Sequence, residues 1–337
     1  MFRNLFSVAG WKKLNKDTNN LMEECYAEAT KETKSAQLEK YNKFCQEFKG
    51  FVTPFPCPSR QIALYISYLT RSLKYSSIKG YVSALSVYMK KMGFKEVDYN
   101  DYRVYSALRG ARRTLGDNPK QAVPILPHHL IKLGKHLSPN QGHLAFRAAL
   151  LLSFRALLRK QQVTDFTDAT LTRSDVKMHE WGMMSKTIQF KQKVLHIPVS
   201  KVGDGRLCAV KWVTEHMIQS PAPPSSPLFI VPGPGGPTPM TYKMYQSTLK
   251  LTCGRAGLDP AEFSSHSMRS GGATFLGMIG APLQEIKARG DWSSDCVLRY
   301  LRTPIDVRIQ QDLMVAAILT STAKRAPDEC LLKLKSI

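Results

Sequence analysis

The chain has 337 residues, the length of about two domains rather than one small module or a large assembly. Hydrophobic residues at 43% and charged residues at 22%, with 14 Phe and 13 Tyr, are the composition of a chain that folds around a core, which excludes wholesale disorder. Lys and Arg number 48 against 26 Asp and Glu, and the resulting +22 points to a polyanionic partner, nucleic acid first, over an acidic small molecule.

In chain order, residues 20–48 carry a helical pattern, with Leu21, Cys25, Ala29, Leu38, Tyr41, Phe44 and Phe48 recurring at threes and fours among charges. The Pro-rich TPFPCPS ends it. Helices are predicted over 60–73, 76–92 and 101–114, joined by short connections, which makes the first part a helical bundle. Between Arg71 and Lys135 there are 13 Lys or Arg against 4 Asp or Glu, whereas residues 1–46 hold 8 against 6. The excess therefore falls on the later helices, as one face meeting a phosphate backbone requires. A solvated surface of interspersed charge is the plainer alternative.

Residues 115–125 (LGDNPKQAVPI) join Gly, Asp-Asn-Pro and a second Pro with no apolar period, so a linker is predicted there between domains at 1–114 and 126–337. Beyond it, 127–137 and 142–159 read as helices, the second apolar on nearly all sides and so buried. The period then shortens. Residues 176–190 and 193–199 are β-prone with a turn at Lys191-Gln192, a small antiparallel sheet. A helix over 208–219 and a Pro/Gly loop over 221–239 around a strand at 228–231 come next; no GK[ST] follows that loop, so it is not a phosphate loop. Helices are predicted over 242–256, 266–278 and 283–289, with a short one holding Tyr300 and a last over 305–319. The fold class is mainly α with a small antiparallel β-sheet.

Seven Cys are scattered, odd in number and without a CxxC pair, so neither a disulfide framework nor a zinc ribbon is expected and the thiols read as reduced and intracellular. His128, His129, His136, His143, His179, His196 and His216 share no ligand spacing, so no metal or cofactor site is predicted. The longest apolar run, 144–158, is broken by Arg147 and Arg155, and the N-terminal residues hold no apolar segment long enough for export. A soluble, non-secreted protein with no membrane partner is expected.

One constellation carries chemistry. His266 and Arg269, three apart at a helix start, point one way and can meet a single anionic group. About thirty residues on, RGDWSSDCVLRY puts Tyr300 after a Gly turn; upstream, LLRK ends the buried helix at Arg159, and Lys186 lies near the predicted hairpin. A DNA phosphodiester repels nucleophiles, so an enzyme without a metal must hold it with cations as charge redistributes toward the pentavalent state. Arg159 and Arg269 suit this, because guanidinium stays charged and offers a planar fork to two phosphate oxygens. Arg155 competes with Arg159 but lies a helical turn earlier, where it meets solvent or backbone; Lys191 and Lys193 compete with Lys186. Tyr300 is the candidate nucleophile, its phenol needing local positive charge or a base.

The order Arg159, Lys186, HxxR at 266–269, Gly290 with Trp292, then Tyr300, spaced by 27, 80, 3 and 31 residues from Arg159 to Lys186, His266, Arg269 and Tyr300, resembles the tyrosine recombinases, relatives of phage lambda integrase, Cre and the Xer proteins. The match covers roughly 125–320, and the preceding bundle is similar to the core-binding (SAM-like) domain of that family. LLRK, SKTIQF, HSMRSGGAT and GDWSSDCVLRYLR look most like the recombinases of DIRS-like and Ngaro-like eukaryotic retrotransposons. The family has His or Trp directly after the Gly, where Asp291 stands here; a one-residue shift gives Trp292 that role. A carboxylate aimed at the phosphate would repel it, so Asp291 is expected to face elsewhere. Gln162 stands where an acidic or small polar residue often follows the first Arg, a departure that bears on how Arg159 is oriented.

The resemblance implies Tyr300 attack to give a 3′-phosphotyrosyl link, Lys186 donating a proton to the departing 5′-oxygen, and His266 assisting the Tyr proton or orienting the phosphate. It implies double-stranded DNA as partner, clamped between the two domains, a homotetramer on paired sites, integration or excision of a mobile element, and nuclear localisation. The apolar residues Ile309, Leu313, Val315, Ile318 and Leu319 suit a C-terminal helix passed to a neighbour or, equally, packed on its own domain. A type IB topoisomerase-like activity and a domesticated, non-catalytic DNA-binding protein are the alternatives.

Overall fold

The structure, a computed structural model, describes residues 8–26, 28–117, 121–165, 167, 169–189, 193–233, 235–301 and 305–325. It is mainly helical with a small antiparallel sheet, and its contacts divide it into two compact units, 1–120 and 121–337.

The first unit holds α1 (Val8–Glu24), α2 (Glu28–Glu47), α3 (Ser59–Thr70), α4 (Tyr75–Lys91) and α5 (Tyr102–Leu115). Tyr41, Phe44, Tyr65, Ile66, Leu69, Ile78, Val82 and Leu85, spaced at threes and fours within their helices, make its core. The single helix expected over 20–48 is two. Leu21 and Cys25 are exposed, and the buried stripe begins only near Leu38, so no core contact carries one helix across the break. The Pro-rich connection is pinned where the Tyr41 hydroxyl donates to the Pro54 carbonyl (2.9 Å) and accepts from the Gln61 amide (2.6 Å). In α5, Val104 and Ala111 are buried while Arg103, Arg109, Arg112 and Arg113 are exposed with no acidic residue in the helix.

The second unit opens with α6 (Pro127–Gly134), α7 (Gln141–Ala156) and α8 (Lys160–Val163), then β1 (Val176–His179), β2 (Gly182–Gln189) and β3 (Lys193–Ser200) in an antiparallel sheet ordered β1-β2-β3. The expected turn at Lys191-Gln192 lies outside the described residues. After α9 (Ala209–Gln219) a two-stranded ribbon pairs β4 (Ile230–Val231) with β5 (Thr238–Pro239). Next come α10 (Tyr242–Arg255), α11 (His266–Met278), α12 (Leu283–Gly290), a 3-10 turn at Asp295–Arg299 and α13 (Ile305–Arg325).

Helix α7 is the centre of the core, as its all-round apolar pattern implies: from Leu144 to Ala156 only Arg147 and Arg155 are not fully buried. Arg147 lays its guanidinium 3.7 Å over the Trp212 ring. The helix stops at Ala156, three residues short of the expected Arg159. Leu157 takes the left-handed conformation (φ 52, ψ 40) and the Leu158 amide closes back on the Ser153 carbonyl at 3.1 Å. Arg159 thus leaves the helix axis and becomes the first residue ahead of α8.

Helix α11 approaches α7 closely, and two glycines make this possible. A Cβ on Gly272 would lie 2.1 Å from the Phe154 carbonyl oxygen, and one on Gly271 1.9 Å from that of Ile125. Val123 donates to the Glu262 carbonyl (2.7 Å) and Ile125 to that of Ser267 (2.9 Å), so these two residues, read from the sequence as part of the linker, are bonded to the second unit. On α13 the apolar residues Ile309, Leu313, Val315, Ile318 and Leu319 are more than half exposed. Among the described residues no helix is long and apolar enough to cross a membrane.

Candidate active site

Arg269 lies one turn into α11 and is only 3% exposed. A guanidinium is tolerated in the interior when its donors are satisfied. Here they reach the carbonyl oxygens of Leu157 and Gly290, and the carbon of the guanidinium lies 3.9 Å from the centroid of the Trp292 ring. The left-handed turn at Leu157 that ends α7 thus supplies an acceptor to a residue 112 positions away. Burial pushes Arg269 down to about 9; the positive Arg159 pushes the same way, while Tyr300, Asp291 and Cys296 oppose it. All four groups therefore lie within electrostatic reach of this arginine.

Arg159 is held from two sides. Its amide donates to the Gln162 side-chain oxygen at 2.7 Å, so the Gln that departs from the family pattern anchors the backbone of Arg159. Its guanidinium donates to the Asp291 carbonyl at 3.2 Å, and the Asp291 carboxylate lies 4.0 Å away. The expectation that Asp291 faces elsewhere is corrected. At the end of α12 it takes a left-handed conformation (φ 53, ψ 53), and its carboxylate is attracted to the Arg159 guanidinium. Leu158, Arg159, Gln162, Arg269, Arg289 and Asp291 line one small cleft. Each guanidinium has five N–H donors, so the carbonyl bonds leave donors for an incoming anion.

Trp292, only 8% exposed, lies over Gly290, where any Cβ would meet its ring at 1.9 Å; the Gly-Asp-Trp order is what this packing demands. Its ring centroid is 5.4 Å from that of Tyr300. Tyr300 ends the 3-10 turn, half-buried beside the small cluster of Leu157, Ala273, Ile286, Trp292 and Val297. The Thr274 hydroxyl donates to its backbone carbonyl, which ties the phenol-bearing turn to the helix that carries Arg269.

His266 begins α11. The residue is exposed by area, yet partial covering of its ring, followed by the positive charges of Lys160 and Arg269, lowers its pKa below the ordinary 6.5. Lys186 stands in β2 opposite His196 of β3. Its side chain, with those of Lys191 and Lys193, lies outside the described residues. Arg155 is not among the residues that line the cleft; its Nε is buried without a hydrogen-bond partner among the described residues, and burial lowers its pKa.

Three contributors were not singled out from the sequence: Leu157, Thr274 and Arg289. The Ser-Gly-Gly run after Arg269 was a signal of close helix approach, and the Arg289-Gly290-Asp291 triplet put a second cation beside the glycine already identified. Nothing in periodicity marks Leu157, whose role belongs to its backbone.

No family model matches the chain, and no curated protein does. The fold is that of solved tyrosine recombinases and integrases. The chain is similar to the integrase of the Tn1549 transposon in complex with transposon right end DNA, at 13% identity and a TM-score of 0.54 over 83% of this chain and 99% of that one. It is similar to the XerH site-specific recombinase bound to palindromic difH substrate, at 14% identity and a TM-score of 0.57 over 83% and 77%. The third is a lambda integrase dimer bound to a COC′ core site, at 13% identity and a TM-score of 0.56 over 86% and 94%.

Proposed function

We propose that the chain is a tyrosine recombinase that cuts and rejoins double-stranded DNA, and that it serves integration or excision of a mobile element. The observation that carries this reading is the meeting of Arg159 and Arg269, 110 positions apart, in one cleft, with Trp292 against Arg269 and Tyr300 beside Trp292. Two fixed guanidinium groups stabilise the charge of a pentavalent phosphate without reorganising as it forms.

In the reaction, the Tyr300 oxygen attacks phosphorus and loses its proton, His266 assisting, while the bond from phosphorus to the 5′-oxygen breaks and Lys186 protonates that oxygen. Fold and order of residues support these roles. The phosphotyrosyl ester keeps the energy of the broken bond, so the 5′-hydroxyl of a second duplex reverses the step and exchanges strands. The exposed apolar residues Ile309, Leu313 and Val315 of α13 support a homotetramer on two duplexes. The wording of HSMRSGGAT and GDWSSDCVLRYLR supports a DIRS-like or Ngaro-like element, and with it a nuclear site of action.

Purified protein incubated with two marked duplexes, beside a supercoiled plasmid, tests the proposal. Exchange of markers between duplexes supports recombination. Relaxation of the plasmid without exchange identifies a topoisomerase, and binding with neither reaction identifies a non-catalytic protein.

A further inference from the structure

Arg289 has no role in the reaction described above, yet its contacts join three separate parts of the site. It is the next-to-last residue of α12, directly before the Gly290-Asp291-Trp292 turn. One end of its guanidinium donates to the Arg155 carbonyl at 2.8 Å, in the last turn of α7 and four residues before Arg159. The other end donates to the Pro198 carbonyl at 3.2 Å, in β3. Pro198 stands opposite Met184 in β2, two residues from Lys186.

The side chain is half-buried, and burial followed by the positive Arg155 lowers its pKa, so holding this cation here has an electrostatic cost. A planar guanidinium can donate in two fixed directions at once, which an ammonium on a flexible stem cannot reproduce. A proton donor has to stay within hydrogen-bond reach of the departing oxygen, and small displacements cost large factors in rate. Lys186 sits on a hairpin, and the helix that leads to Arg159 is a separate element.

We infer that Arg289 is a positioning residue that fixes the β2–β3 hairpin, and hence Lys186, relative to the end of α7 and the Trp292 turn. The inference rests on the proposed recombinase chemistry. It adds that Arg289 serves the protonation of the leaving 5′-oxygen through Lys186, without itself touching the phosphate.

A DNA substrate whose scissile 5′-bridging oxygen is replaced by sulfur isolates this role, because a thiolate leaves without being protonated. Cleavage by the parent protein and by Arg289→Ala, Arg289→Lys and Lys186→Ala is measured on the oxygen and sulfur substrates. On the oxygen substrate each variant should be slower by about 100-fold, the low end of what general-acid catalysis supplies. On the sulfur substrate all three should return to within a few-fold of the parent. Arg289→Lys retains charge and stem, so it serves if Arg289→Ala fails to fold, and DNA binding at parental affinity certifies either variant.

Rescue of Lys186→Ala without rescue of the Arg289 variants overturns the inference and leaves the recombinase reading intact. Equal slowing of the Arg289 variants on both substrates, or no slowing on either, overturns it as well. Failure of sulfur to rescue Lys186→Ala removes the general-acid premise and the inference with it. Failure of the parent to cleave either substrate overturns the proposed function itself.

Discussion

The guanidinium of Arg269 lies 3.9 Å over the Trp292 ring while its donors reach the carbonyls of Leu157 and Gly290. Two separate segments, the end of α7 and the Gly290–Trp292 turn, therefore converge on a cation carried by α11. Arg269→Lys keeps a charge but cannot span both carbonyls or stack as a plane. We expect a fall in DNA cleavage of at least about 100-fold, the range for losing one fixed donor to a charged transition state. Thermal stability should fall too, because a buried carbonyl is left without its donor. Single-turnover cleavage and a melting curve on the same preparation check both.

Gly271 and Gly272 are where α11 meets Ile125 and the Phe154 carbonyl, with no room for a methyl group. The obstruction is backbone, which cannot swing aside. Gly272→Ala should destabilise the second unit by about 1–3 kcal/mol or more, as overpacking does. Denaturant unfolding of the variant should show a lower midpoint at an unchanged slope. Gly110→Ala, where a Cβ meets nothing within 4 Å on a helix surface, should not lose stability and serves as the control.

His266 has its pKa below 6.5 through covering of its ring and the charges of Lys160 and Arg269. It is therefore neutral at physiological pH and able to take a proton. Cleavage should decline as pH falls through the lowered pKa of His266, below the ordinary histidine value, and His266→Gln should lose this acid limb. The stability effect has a definite sign. Between the lowered folded pKa and the unfolded value the unfolded chain binds the extra proton, so this group's contribution to stability diminishes as pH drops through that window. A pH-rate profile of the parent and His266→Gln, with unfolding curves at two pH values, measures both.

Helix α5 exposes Arg103, Arg109, Arg112 and Arg113 on a surface without acidic residues of its own. If these meet the phosphate backbone, affinity for DNA should fall steeply with salt. Arg103→Ala and Arg113→Ala should each weaken binding on every sequence and lower the salt slope by about one. Arg112 is the weaker test, since its Nε is held by Asp117 at 2.9 Å. Fluorescence anisotropy over a salt series reads the slope directly.

Much of the fold was legible because its signals are local. The apolar run of α7, the β-prone residues of β2 and β3, and the start of α11 at His266 each follow from residue types and spacing within one element. The end of α7 was not, since Leu157 is a residue with no preference for the left-handed turn it adopts. The break between α1 and α2 was hidden because Leu21 and Cys25 continue an apolar period that no neighbour buries. At the site, Arg159, Arg269, Trp292 and Tyr300, which the structure brings near one another, could be named through an order of residues that resembles the tyrosine recombinases. The orientation of Asp291 toward Arg159 could not, because it depends on a backbone angle and on the charge across the cleft.

The proposed function depends on attack by the Tyr300 hydroxyl on a phosphate held by Arg159 and Arg269. The most direct measurement is covalent capture on a pool of nicked duplexes with a randomised core, in which the released 5′ fragment diffuses away, followed by mass spectrometry of the DNA-bound peptide. The account requires an adduct on Tyr300, and a Tyr300→Phe protein that binds the same pool and captures nothing. An adduct on another residue, or tight DNA binding by the parent protein with no adduct at all, would contradict it.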